Sequence, residues 1–167
     1  MELQGFGGPA GVELLQKLPL FAQLSFDETC RLGALVEQLE VEAGTVVIEQ
    51  NALGDALFIV ERGEVKLSRD ADANGTHEAW EELGTLGPGE LVGEMSLVDE
   101  VLTSFQVTAT APTRLLKLPR SGFQKLLEGE VALAHKIYRS FCQVLCERLR
   151  RANLQLSAER AAAAGVR

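Results

Sequence analysis

No run of apolar residues in the chain escapes interruption by charge for more than a few positions, so nothing approaches the roughly 20 apolar residues that cross a bilayer, and membrane insertion is not expected. Histidine is scarce: His77 and His135 are the two in the sequence, too few for the clustered imidazoles and carboxylates of a metal-dependent enzyme, and each reads as a surface residue. Cysteine is nearly as scarce. Cys30, Cys142 and Cys146 are odd in number with no zinc-like pairing, and Cys142 and Cys146 stand one helical turn apart in an apolar pattern, so all three read as small core residues. There is no G-x-S-x-G, Walker-type loop or dinucleotide fingerprint, and Gly87-Pro88-Gly89 is a turn; catalysis is not expected. Acidic Glu2 stands where a signal peptide carries basic residues, which makes the cytoplasm the expected location. The last scarcity is local: no Lys or Arg occurs between Arg69 and Arg114.

What remains is an ordinary globular composition, 46% hydrophobic and 24% charged over 167 residues, enough for one domain that buries roughly 70% of its unfolded surface. The net charge of −8 is unevenly placed. Residues 1–129 hold 9 Lys/Arg against 21 Asp/Glu, whereas residues 130–167 hold 7 against 3. An acidic body repels phosphate backbones, so direct DNA binding is not expected. The basic tail reads as a solvated face that complements the body.

Residues 12–18 form a short amphipathic helix. A second begins after Ser25, an N-cap with Glu28 three residues on, and Asp27 suits the positive end of its dipole. Beyond Val36 the residues turn β-branched and alternating, as in Thr45-Val46-Val47-Ile48, Leu57-Phe58-Ile59-Val60 and Val65-Lys66-Leu67, with further strands at 78–86, 105–109 and 114–118. Turn residues divide them at Ala43-Gly44, 51–55, Arg62-Gly63, Asp72-Ala73-Asn74-Gly75 and Gly87-Pro88-Gly89. Many short strands between tight turns predict an α+β fold: an antiparallel, jelly-roll-like β-roll with N-terminal helices and a long C-terminal helix. That helix runs from Val131 to about Leu156, with Leu133, Ile137, Phe141, Leu145 and Leu149 on one stripe, and the final residues 161–167 are expected to fray.

This order of elements resembles the cyclic-nucleotide-binding domain family of the catabolite-activator and protein kinase A regulatory-subunit type. Leu20-Phe21 with Leu24 and Ser25 is similar to the family's opening, residues 54–60 with Gly63 to its central hairpin, and Gly93-Glu94-Met95-Ser96-Leu97 to the start of its phosphate-binding cassette. The resemblance covers roughly residues 20–153. It divides the chain into an N-terminal helical segment (1–19), the roll with a short hinge helix (20–128), and the long helix with its tail (129–167). It implies that Gly93 and nearby N–H groups approach a cyclic phosphate while Glu94 accepts a ribose hydroxyl. Met95 and Ser96 complete the candidate site with Thr103 and Ser104, which stand where the family's arginine would pair with the phosphate. Leu102 replaces the proline before that arginine, and bulky Phe105 a small residue after it. Arg114, or Arg139 from the long helix, is the cation that would compensate if the fold returned it to the cassette.

Two functions follow. In one, cyclic AMP or cyclic GMP enters the roll and the C-terminal helices relay occupancy. In the other, favoured because the cassette has no cation, nucleotide binding is weak or lost; the chain has no cofactor and acts as a regulatory module through a protein partner or as a homodimer. The dimer seam is then expected at Ile137, Phe141, Leu145 and Leu149. A transcription factor with its own DNA-reading domain is not expected, because only about 14 residues follow Asn153.

Overall fold

The computed structural model of the chain describes residues 9–70 and 80–164. Helices α1 (Pro9–Lys17) and α2 (Phe26–Gly33) lead into eight strands among these residues: β1 (Glu37–Val41), β2 (Val46–Ile48), β3 (Ala56–Arg62), β4 (Val65–Asp70), β5 (Trp80–Leu86), β6 (Leu91–Val92), β7 (Gln106–Ala109) and β8 (Thr113–Pro119). A one-turn helix α3 (Met95–Val98) lies between β6 and β7, and α4 (Arg120–Gly129) and α5 (Val131–Ala164) end the fold. The strands form two antiparallel sheets, ordered β1-β8-β3-β6 and β2-β7-β4-β5. The turn expected at Asp72-Ala73-Asn74-Gly75, and His77 beside it, lie outside the described residues.

Strand β3 explains how the layers meet. Its first five residues are all buried because each face has its own covering. Ala56, Phe58 and Val60 point between the sheets, where they join Val65, Val107 and Leu115; Leu57 and Ile59 point outward and join Leu116 and Leu118 beneath the helices. That second core takes Leu15, Phe21, Leu32, Leu97, Phe123, Leu133 and Ile137, so it draws on every one of the helices α1 to α5.

The capping box read at Ser25 is present: Ser25 Oγ accepts from the Glu28 N–H at 3.3 Å, and the Glu28 carboxylate accepts from the Ser25 N–H at 2.7 Å. The same carboxylate receives Lys136 Nζ of α5 at 2.8 Å on both oxygens, so one residue starts α2 and fastens it to the long helix. The Lys136 ammonium and then the Ser25 N–H hold the Glu28 carboxyl below its ordinary range. A folded-state pKa below the unfolded one contributes stability that is present above about pH 4.5 and fades as pH falls through the lower folded value. Glu28→Gln is expected to cost about 1–2 kcal/mol at neutral pH and to flatten stability against pH on the acid side of 4.5, read by thermal melts. An unchanged acid limb would show that Glu28 does not carry this linkage.

Helix α5 departs from the sequence reading in three ways. Leu133, Ile137 and Phe141 are buried in the domain's own core, so Ile137 and Phe141 are not available to a seam between copies. From Tyr138 onward the other expected stripe residues, Leu145 and Leu149, are exposed. Cys142 and Cys146 are exposed as well, because the core-facing side of the helix has turned away from them; Cys30, on α2, is half-buried rather than in the core. The helix also continues beyond residue 156 to Ala164, carried by alanines 161–164, the strongest helix formers.

Candidate functional site

Between the roll and the second half of α5 lies a cleft of about 730 Å³. Its walls are Gly93 to Ser96 at the end of β6, the segment 101–105 before β7, apolar residues of β4 and β5, and Arg148, Arg151 and Gln155 of α5. All six candidate ligand residues read from the sequence line it. The backbone brings them together because α3 and the 101–105 segment both return to one edge of the roll, fastened by the Leu53–Leu102 bridge.

Gly93 has φ +83°, and a Cβ there would lie 2.6 Å from the Ala56 carbonyl oxygen; only glycine fits this close approach to β3. Gly54 meets the cassette from the other side. A Cβ there would stand 2.6 Å from the Ser96 Cβ and closer still to its hydroxyl, so Gly54 and buried Ser96 are packed backbone to side chain. Gly54→Ala is therefore expected to cost about 1–3 kcal/mol, because the cassette must shift to admit one methyl group. A melting curve within experimental error of the wild type would show that α3 yields freely.

The four polar candidates have different circumstances. Glu94 is 6% exposed and its carboxylate accepts from Arg148 of α5, a strong contact in a partly dry setting. Ser96 faces Gly54. The Thr103 hydroxyl is taken up by the neighbouring loop: it accepts from the Ala52 N–H at 3.2 Å and faces the carbonyls of Glu49 and of Ala52, the latter at 3.1 Å. Two main-chain bonds, Asn51 N–H to Thr103 O at 2.8 Å and Thr103 N–H to Ala52 O at 2.9 Å, complete the knot. Ser104 is exposed on the cleft wall. Met95, 57% exposed, presents its thioether side chain at the rim.

Of the cations considered from the sequence, neither supplies the cleft. Arg114 is held by Glu40 at 2.7 and 2.9 Å and lies near Glu61; Glu40 first and Glu61 second raise its pKa, away from the cassette. Arg139 is exposed and not among the lining residues. The cations present are Arg148 and Arg151. Sequence reasoning missed them although a signal was available: Ile137, Phe141 and Val144 continue at spacings of four and three to Arg148, Arg151 and Gln155, so the face that packs on the core one turn earlier must look into the roll's opening later. Among the described residues no cluster of His, Cys, Asp and Glu is arranged to hold a metal, and no helix is long and apolar enough to cross a membrane.

Residues 38–130, more than half of the chain, match the family model described as the cyclic nucleotide-binding domain. The chain is 36% identical over 140 residues to the cyclic AMP receptor protein of Thermus thermophilus, spanning 83% of this chain and 60% of that protein. The crystal structure of the Thermus thermophilus catabolite activator protein superposes with a TM-score of 0.68 at 34% identity, covering 83% of this chain and 62% of that one. The N-terminal domain of a transcriptional regulator from Streptomyces coelicolor A3(2) does so with a TM-score of 0.69 at 30% identity, covering 84% and 94%. The chain thus spans less than two thirds of the curated relative's length. With the roll and its flanking helices in place, the chain belongs to the cyclic nucleotide-binding domain family, of the catabolite-activator and kinase regulatory-subunit type.

Proposed function

We propose that this chain is a non-catalytic regulatory module whose roll binds cyclic nucleotides weakly or not at all, and which acts through a second copy of itself joined along α5. The observation that carries the first half is the fate of the cassette: at the family's arginine position the Thr103 hydroxyl is spent on the 49–52 loop, Ser104 offers a hydroxyl without charge, and Glu94 is already paired with Arg148. A cyclic phosphate lying against this wall meets no cation there. Losing one charge-assisted contact costs about 1.5–3 kcal/mol, a tenfold to hundredfold drop in affinity.

The second half rests on the outer face of α5. Tyr138, Cys142, Leu145, Leu149, Ala152 and Leu156 follow one another at spacings of four and three, and all six are exposed. That is the repeat of a two-stranded coiled coil. The seam therefore includes Leu145 and Leu149 of the four residues expected from the sequence, and leaves Ile137 and Phe141 to the core.

A second reading keeps the module as a cyclic AMP or cyclic GMP sensor, and one observation favours it: Arg148 and Arg151 do bring positive charge to the cleft, from the helix side. Isothermal calorimetry with both nucleotides separates the two. Heats indistinguishable from dilution at millimolar ligand are expected; saturable micromolar binding would replace the first reading with the second.

A further inference from the structure

The cleft's rim is apolar to an extent its polar residues do not account for. Leu83, Met95, Val101 and Leu102 are 46%, 57%, 41% and 59% exposed, and they gather around this one concavity with half-buried Phe105 between them. Large exposed apolar side chains collected on a concave surface mark a binding site, and the volume falls in the range of small-molecule pockets. Positive charge is arranged on one side only. The lining cations, Arg148 and Arg151, both come from α5, and the roll wall from 83 to 105 contributes the carboxylates Glu90 and Glu94 and no cation.

The two arginines are not equivalent. Arg148 is fixed by Glu94, a carboxylate that is itself buried. Arg151 is held by Glu147, one turn back on the same helix, with both side chains mostly in water at 73% and 60% exposure. Solvated pairs of that kind are weak and yield readily to an incoming anion. Gln155, one turn beyond Arg151 on the same face, adds amide N–H donors beside it.

We infer that the cleft takes a small amphipathic organic anion, its carboxylate on Arg151 and Gln155 of α5 and its apolar body against Leu83, Val101, Leu102 and Phe105. The inference rests on the reading that the cassette no longer receives a cyclic phosphate. The polarity is the reverse of what a cyclic phosphate seated on the cassette needs, since the positive charge lies on the helix and the roll supplies carboxylates and apolar contact. Because the head group sits on α5, uptake would bear directly on the helix that carries the seam.

Decanoate, below its micelle concentration, is a suitable probe in calorimetry against the full chain, with decan-1-ol and decyltrimethylammonium as neutral and cationic counterparts. Decanoate is expected to bind one per chain and about tenfold more tightly than the alcohol, with the cation weakest. Arg151→Gln should bring decanoate down to the level of the alcohol without changing the alcohol itself, and Leu102→Asp should weaken both. Decanoate that binds no better than decanol, or is indifferent to Arg151→Gln, overturns the inference. So does uptake confined to a monomeric variant, which would assign the apolar rim to contact with a second copy. Tight cyclic AMP binding would instead overturn the preceding functional reading, so the two failures are told apart.

Discussion

The Leu145→Glu, Leu149→Glu double variant is expected to remain folded and to sediment as a monomer at concentrations where the wild type is dimeric, with a dissociation constant raised by at least a hundredfold. Leu149 is 62% exposed and Leu145 40%, so within one copy neither leaves a cavity when replaced. In a two-stranded seam each carboxylate would face its counterpart across an apolar contact, where like charges pay both repulsion and desolvation. Phe141→Ala serves as the contrasting variant. Its side chain is 3% exposed and belongs to the core beneath the β3–β8 face, so truncation is expected to cost about 3–5 kcal/mol of folding stability. Analytical ultracentrifugation and thermal melts together read both outcomes. A double variant that still dimerises would place the contact elsewhere, and one that unfolds would show that the second half of α5 is held by the roll rather than by another copy.

Ser104→Arg is expected to raise affinity for cyclic AMP by tenfold to hundredfold, the worth of one charge-assisted contact. Ser104 is exposed on the cleft wall, so a longer side chain there reaches the space a phosphate would occupy without displacing packed groups. Thr103→Arg tests the opposite circumstance. It removes the hydroxyl that accepts from the Ala52 N–H, and it is expected to lower stability by about 1–3 kcal/mol with little gain in binding. Calorimetry of both variants with cyclic AMP gives the comparison. Equal gains at both positions would mean that the 49–52 loop readjusts at no cost, and no gain at Ser104 would mean that the lost cation is not what limits the pocket.

Much of this architecture is legible in the sequence. The capping box at Ser25 and Glu28, the β-branched segments, and the turns at Gly44, Asn51 and Gly89, each with positive φ, are local features, written in residues within four positions of one another. The cassette segment could be located for the same reason: Gly93 to Ser96 is one contiguous piece of chain. Less visible was the partition of α5. A single stripe through Leu133, Ile137, Phe141, Leu145 and Leu149 treats the helix as having one partner, whereas the helix passes from the core to the cleft and on into solvent. The stripe that faces the body is Ile137, Phe141, Val144, Arg148, Arg151 and Gln155, packed on the core at first and lining the open cleft later; its neighbour one residue on is the exposed apolar face proposed as the seam. Cys142 and Cys146 lie on the exposed side, not in the core, for that reason.

By itself, then, the sequence determined the order of helices and strands, the position of the cassette, and the want of a cation within it, since each of these depends on residues adjacent along the chain. Only the tertiary structure decided that Thr103 is bound to the 49–52 loop and that Glu94 meets Arg148, two contacts that join positions about fifty residues apart. Which face of a helix a residue shares is fixed by periodicity, but what that face meets is fixed by where the rest of the chain has packed, and no spacing within the helix encodes it.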